Sequence, residues 1–338
     1  MTDPLKILTP NRGDDEQGTS SELLSQVARL YYLDGKTQKQ IGEELGFSRQ
    51  KVQRLLQKAR ELRIVEIHVH SVPFLHTELE NRFKEHFPLK EMVIAPAHPD
   101  EQYRRVLVAR AAGAYLERVL SPGMIVAVGL GRNASQVASY FCPTRPIDCT
   151  FVSAIGGASL AGSEIDPDQI CATFAARADA KAVRLNAPTF MENSQARNAL
   201  FEQEGIKEAL ELARQASIAI MGIGAASDES ILVRIGGQSE AEVHRLRAMG
   251  AVGEVLGNYF DREGNHLKSD LEGRLVALTI QELLDIPLVI VAASEADKAL
   301  PALAALRAGV IDALIIDCDL AIEILKLAGV SDLPDTCN

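Results

Sequence analysis

Apolar positions change their rhythm twice along this chain. Near the start, Leu23, Leu24, Val27, Leu30 and Tyr31 recur at helical spacing, and Gly35 closes that helix. Ile41 and Leu45 then share one helix face, four residues apart. Gly46 follows, at the place where a left-handed residue ends a helix. Ser48 is positioned to cap a further helix. In that helix Val52, Leu55, Leu56 and Ala59 point inward, while Arg49, Gln50, Lys51, Gln53 and Arg54 face out. The pattern predicts a helix-turn-helix whose second helix is suited to the DNA major groove. Ile64 to His70 alternates like a strand and predicts a wing. Together these make a winged helix-turn-helix DNA-binding module over residues 20–72.

Pro73 opens a connector in which Leu75, Leu79, Phe83 and Phe87 recur every four residues. They predict a linker helix within 73–90, docked on the large C-terminal domain or meeting a second copy. From residue 91 to 338 the pattern becomes short apolar runs separated by helices. Strands are expected at Met92–Ala95, Met124–Gly129, Thr150–Ile155, Ala182–Leu185, Ile218–Gly224, Leu288–Ala292 and Ala313–Asp317, with a long helix over Glu101–Leu120. Unbroken apolar strands between helices indicate an α/β domain with a parallel sheet covered on both faces.

Composition sharpens the division. The 338 residues exceed one ordinary core, and 47% hydrophobic content fits buried, globular domains. No run of about 18 uncharged apolar residues is present, so no membrane span is expected. Residues 1–19 are polar and lack the apolar core of a signal peptide, which predicts a disordered tail on a cytoplasmic protein. The net charge of −11 looks wrong for a DNA binder. Between Ser20 and His70, however, nine basic residues face six acidic ones, a local balance of +3 that leaves −14 on the rest. A positive head on an acidic body confines DNA contact to one module. The five cysteines and seven histidines show no metal-ligand spacing, so neither a metal nor a cofactor is expected.

In an open parallel sheet, ligands bind beyond the carboxyl ends of strands, where the strand order reverses. Gly129-Leu130-Gly131-Arg132-Asn133-Ala134-Ser135 leads from a strand into a helix expected to start near Ser135. Free N–H groups at such a start favour an anion, and Arg132 or Asn133 adds donors; the alternative is an ordinary turn. The loop is neither a Walker loop nor a dinucleotide fingerprint. Gly222 and Gly224 repeat the strand-then-glycine form. Lys298 follows a buried strand and pairs with a ligand or lies in solvent. Asp317 ends the last strand and accepts ligand hydroxyls or, more safely, caps the next helix. Glu254, set between apolar residues, requires a partner.

The chain resembles the SorC family of sugar-sensing bacterial transcriptional regulators over roughly residues 20–330. The helix-turn-helix carries the resemblance with Val128–Arg132, Ala154–Gly157 and Leu185–Pro188. More specific are Met221–Gly224, Gly250–Asp261 with Gly264, and Lys298 through Ala305–Gly309 to Asp317 and Ala321. The resemblance implies a C-terminal domain similar to phosphosugar isomerases that serves as a sensor and not a catalyst. It implies a sugar phosphate or polyol effector, a phosphate-binding loop at Gly129–Ser135, and effector contacts from Glu254 and Lys298, with Gly156 and Gly157 at a neighbouring strand end. It also implies a homo-oligomer, a dimer or tetramer. Two places depart from the family pattern: Asn133-Ala134 stands where a Thr is common, and Ala293-Ser294 where Gly-Gly is common. Both point to an unusual effector, an unphosphorylated polyol or a differently placed phosphate.

The expected function is a repressor of a carbohydrate or polyol catabolic operon. Gln50 and Gln53 are suited to adenine, Arg49 and Arg54 to guanine or phosphate. Ser48, Lys51, Thr37, Gln38 and Lys39 complete the DNA-facing set. A dimeric module predicts a pseudo-palindromic operator. The alternative, a phosphosugar isomerase or deaminase with a DNA-binding head, would need an acid/base pair, for which Glu254 and Asp317 are the candidates.

Overall fold

The computed structural model describes residues 21–62, 64–65, 77–157 and 165–334. The chain divides into two compact units, Met1–Val72 and Pro73–Asn338. The tail expected over 1–19 lies outside the described residues, as does the wing expected over 64–70 except for Ile64 and Val65.

The first unit holds α1 (Ser21–Tyr32), α2 (Gln38–Leu45) and α3 (Arg49–Glu61). Thr37 starts α2 with a capping box: its hydroxyl accepts from the Gln40 N–H, and the Gln40 side chain accepts from the Thr37 N–H. Gly46 ends α2 at φ +71°. Ser48 starts α3 by accepting from the Lys51 N–H. Leu24, Val27, Ile41, Val52, Leu56 and Ala59 form the core that these helices share. Gly42 is also fixed by packing, because a Cβ there would lie 2.5 Å from the Phe47 carbonyl oxygen.

The second unit opens with α4 (Thr77–His86), β1 (Glu91–Ala95), α5 (Glu101–Val119), β2 (Ile125–Val128) and α6 (Arg132–Tyr140). Next come β3 (Thr150–Ser153), α7 (Pro167–Ala178), β4 (Lys181–Val183), α8 (Ser194–Phe201), α9 (Glu204–Arg214) and β5 (Ile218–Met221). A smaller section holds β6 (Gly224–Ala225), α10 (Ile231–Arg234), α11 (Glu240–Ala248), β7 (Gly253–Val255), β8 (Asn258–Phe260) and α12 (Ile280–Leu284). The chain then forms β9 (Leu288–Ala293), a 3-10 turn (Ala296–Lys298), α13 (Ala299–Arg307), β10 (Ala313–Asp317) and α14 (Cys318–Leu327).

Seven parallel strands lie in the order β1-β10-β9-β5-β2-β3-β4. Alternate residues of the first six strands in that order enter different cores, while β4 is an exposed edge strand. Val126, Val128, Phe151, Ile218 and Ile220 pack with α5, α6 and α7. Ala127, Val152, Ala219, Met221 and Val291 lie in the core of the opposite face, which α9, α13 and α14 cover. Burial on both faces is why these strands read as unbroken apolar runs. The helix expected within 73–90 is α4, and it is no free linker: Leu79, Phe83 and Phe87 are buried in the core of this unit.

β6, β7 and β8 make a small antiparallel sheet that the sequence pattern did not predict. Its hairpin turn is Leu256-Gly257, at φ +51° and +78°. Positive φ at both positions is the two-residue turn that matches strand twist. Leucine rarely takes that conformation, which hid the turn.

Candidate functional site

On the helical unit, Arg49, Gln50, Lys51, Gln53 and Arg54 are all exposed along α3. Lys51 Nζ lies 3.8 Å over the Phe47 ring, which holds it against the turn. Lys39 is exposed and 3.9 Å from Glu43, while Gln38 is half-buried. Thr37 and Ser48 are occupied as helix caps, so their fixed task is local. The result is a short helix presenting four long polar side chains, Arg49, Gln50, Gln53 and Arg54, from its first turns.

On the α/β unit the strand order reverses at β2, whose neighbours are β3 on one side and β5 on the other. Ligands bind at such a crevice in this architecture. Here Leu130, Gly131, Gly222, Ile223, Gly224, Glu254 and Leu256 line a small cleft, with a volume of about 290 Å³ including its open mouth. Glycine is required because backbones meet. A Cβ at Gly129 would lie 2.5 Å from Met221 Cβ. One at Gly131, whose φ is +132°, would lie 3.4 Å from Gly222 Cα. The Gly222 N–H donates to the Leu130 carbonyl at 3.2 Å.

A Cβ at Gly224 would overlap Glu254 Oε1, so that glycine makes room for the carboxyl. Glu254 is buried, and its Oε2 accepts from the Gly257 N–H at 2.7 Å. Burial pushes its pKa up, opposed by that N–H and by the charge of Lys298. A carboxyl held towards neutrality at a cleft can donate to, or accept from, a ligand hydroxyl. Lys298 is buried too, with Nζ 3.2 Å from Asp297 Oδ2, so it is not a solvated side chain.

One expectation about the neighbouring strand ends needs correction. The helix expected near Ser135 begins at Arg132, because the backbone breaks at Gly131 and turns at once into the helix. Arg132, Asn133 and Ala134 therefore form its first turn; Ala134 is fully buried and Ser135 half-buried. Gly156 and Gly157 are not among the cleft-lining residues. Their backbone crosses that of 187–189: the Gly157 N–H donates to the Ala187 carbonyl at 2.8 Å, and a Cβ at Gly156 would strike the Pro188 carbonyl. Ile155 is the β3-end residue that reaches the cleft.

Asp317 is buried and starts α14, accepting from the Leu320 N–H at 3.0 Å. Its Oδ2 is buried without a hydrogen-bond partner among the described residues. Burial pushes its pKa up to about 6. It does not line the cleft, so the Glu254 and Asp317 pair is not assembled as an acid/base couple.

Sequence pattern alone missed Glu295. It lies just past the end of β9, buried, and accepts from Asn133 Nδ2 at 2.8 Å and Arg105 Nη2 at 2.9 Å. Its one available signal was position: a carboxylate two residues beyond an apolar strand and three before Lys298. No group of ligating residues able to hold a metal occurs among the described residues. No helix there is long and apolar enough to cross a membrane.

A helical head with a polar recognition helix and a switch-point cleft on a parallel sheet define a ligand-responsive DNA-binding protein. Residues 72–326 match the family model described as "Putative sugar-binding domain", and residues 21–62 match sigma-70 region 4. The transcriptional regulator LsrR of Escherichia coli K12 is 30% identical over 318 residues, covering 92% of this chain and 97% of LsrR. The erythritol catabolism regulatory protein EryD of Brucella abortus is 26% identical, covering 87% and 93%. The full-length sorbitol operon regulator SorC of Klebsiella pneumoniae has the same fold, with a TM-score of 0.73 at 24% identity over 93% of this chain and all of SorC. The chain belongs to the SorC family of sugar-binding transcriptional regulators. It is a DNA-binding regulator of transcription and not an enzyme.

Proposed function

We propose that this regulator represses a carbohydrate or polyol catabolic operon in the cytoplasm. It binds a pseudo-palindromic operator as a homo-oligomer, a dimer or tetramer. Arg49, Gln50, Gln53 and Arg54 read base edges, and Lys39 and Lys58 contact the backbone. The effector is a sugar phosphate or polyol seated beyond the ends of β2 and β5. Gly131, Gly222, Gly224 and Glu254 contact it, with Lys298 beside them. The observation that carries this reading is the buried Glu254 carboxyl in a cleft of close-packed glycines at the point where strand order reverses. The name of EryD, a relative, supports a polyol as one member of the effector class. Effector binding shifts DNA affinity by favouring one quaternary state over another.

The test is operator binding by the purified chain with and without a panel of sugars, sugar phosphates and polyols, read beside thermal unfolding. A true effector at a hundredfold excess over its Kd raises stability by about 2.7 kcal/mol. It also weakens operator binding, and Glu254→Gln blunts both responses. A panel in which no compound changes either quantity overturns the reading.

A further inference from the structure

The start of α6 already holds an anion that belongs to the protein. Gly131, the residue that caps α6, supplies no side-chain hydrogen bond, so the first-turn N–H groups keep their pull on negative charge. The carboxylate brought beside that turn is Glu295. Its Oε2 accepts from Asn133 Nδ2 at 2.8 Å, and Asn133 is itself in the first turn. Its Oε1 accepts from Arg105 Nε at 3.2 Å and Nη2 at 2.9 Å, and lies 3.8 Å from Arg132 Nε. Ser294 locks the arrangement by donating its hydroxyl to Asn133 Oδ1 at 2.9 Å.

The Glu295 side chain is 8% exposed, and only charge and hydrogen bonds keep it ionised there. Burial opposes ionisation, while Asn133, Arg105, Lys298 and Arg132 together hold the carboxyl below the usual range. Every cation near this turn therefore has a carboxylate to face. A phosphate arriving at the α6 start would meet a fixed negative charge, and the donors it needs would be committed elsewhere.

We infer that Glu295, clamped by Asn133 and Arg105, is a built-in substitute for a ligand phosphate. The regulator then selects an uncharged polyol or sugar and rejects its phosphorylated form. This rests on the effector reading of the same strand ends. Hydroxyl recognition is left to Glu254 and to the backbone at Gly131, Gly222 and Gly224, where groups that both donate and accept suit a polyol.

The full chain and its Glu295→Gln variant are titrated with inorganic phosphate at matched ionic strength, by calorimetry and thermal shift. The variant keeps the side-chain shape and removes the charge. We expect it to bind phosphate at least tenfold more tightly than the parent, and expect Arg132→Ala in that background to abolish the gain. Equal phosphate affinity in the two folded proteins, or a gain that survives Arg132→Ala, overturns the inference. If Glu295→Gln does not fold, the double variant Ser294→Gly/Glu295→Gly is read in the same way.

In a second arm, four- to six-carbon polyols are compared with their phosphates on the parent chain. Preference for the uncharged member by tenfold or more supports the inference. Preference for the phosphate overturns it and leaves the effector cleft standing. If neither class binds, the effector reading itself fails, and the phosphate titration still decides what Glu295 does.

Discussion

Arg49, Gln50, Gln53 and Arg54 stand in solvent along a single helix, whereas Glu254, Glu295, Lys298 and Asp317 are buried and come from the ends of two strands and a hairpin. The first group is held by nothing more than a capped helix on a small core. The second exists only because distant segments converge: Asn133 and Glu295 are 162 residues apart in sequence, and Arg105 and Glu295 are 190 apart. The difference teaches where substitutions will be felt. On the helical unit, function can be removed without touching the fold. On the α/β unit, function and stability share the same atoms.

Asp317 should show the largest effect. Its folded pKa of about 6 lies above the ordinary aspartate value, so the folded state holds the proton more tightly than the unfolded chain. That contribution is fully present below about pH 4 and is lost as pH rises through 6, leaving a buried charge near neutrality. Asp317→Asn keeps the cap on α14 and cannot ionise. Relative to the parent it should gain about 3 kcal/mol at pH 8 and nothing near pH 4, by chemical denaturation across pH. A gain independent of pH would refute this account.

Gly224→Ala comes next. Its methyl group would press on Glu254, so we expect a loss of about 2 kcal/mol by urea unfolding, together with loss of the effector response. If stability and response separate, the two properties do not share these atoms, and the contrast with the helical unit breaks down.

On the other side of the comparison, Arg54→Ala should weaken operator binding roughly tenfold while thermal unfolding stays within about 0.5 kcal/mol of the parent. Measured against salt, a lost phosphate contact also lowers the slope of affinity, whereas a lost base contact does not. The smallest effect expected is that of Ser48→Ala. Removing the hydroxyl that caps α3 should cost about 1 kcal/mol of the head's stability, with operator affinity following only through that loss.

The same contrast explains what could be read from sequence. Thr37, Gly46 and Ser48 signal their helix ends within four residues of their partners, so the helix-turn-helix was legible. Six of the seven parallel strands were legible because two-sided burial writes itself as apolar runs; β4 is an exposed edge strand. The glycines of the cleft were visible as glycines, although not which ones face each other, nor that the backbone at Gly156 and Gly157 crosses that of 187–189. Glu295 was illegible, since nothing local distinguishes it from a solvated helix-start acid. The β7–β8 hairpin was hidden because Leu256 takes a backbone conformation its residue type disfavours.

The Glu295, Asn133 and Ser294 side chains form one continuous chain of hydrogen bonds, and this shapes how such a sensor can diverge. Altering any one of the three alone strands a buried polar group or an unpaired charge, at roughly 1 to 3 kcal/mol. A lineage moving between charged and uncharged nutrients therefore crosses a valley of weakened intermediates unless the changes arrive together. Ligand class in this branch should then be inherited as a block of linked residues, and related chains should carry the trio whole or lack it altogether.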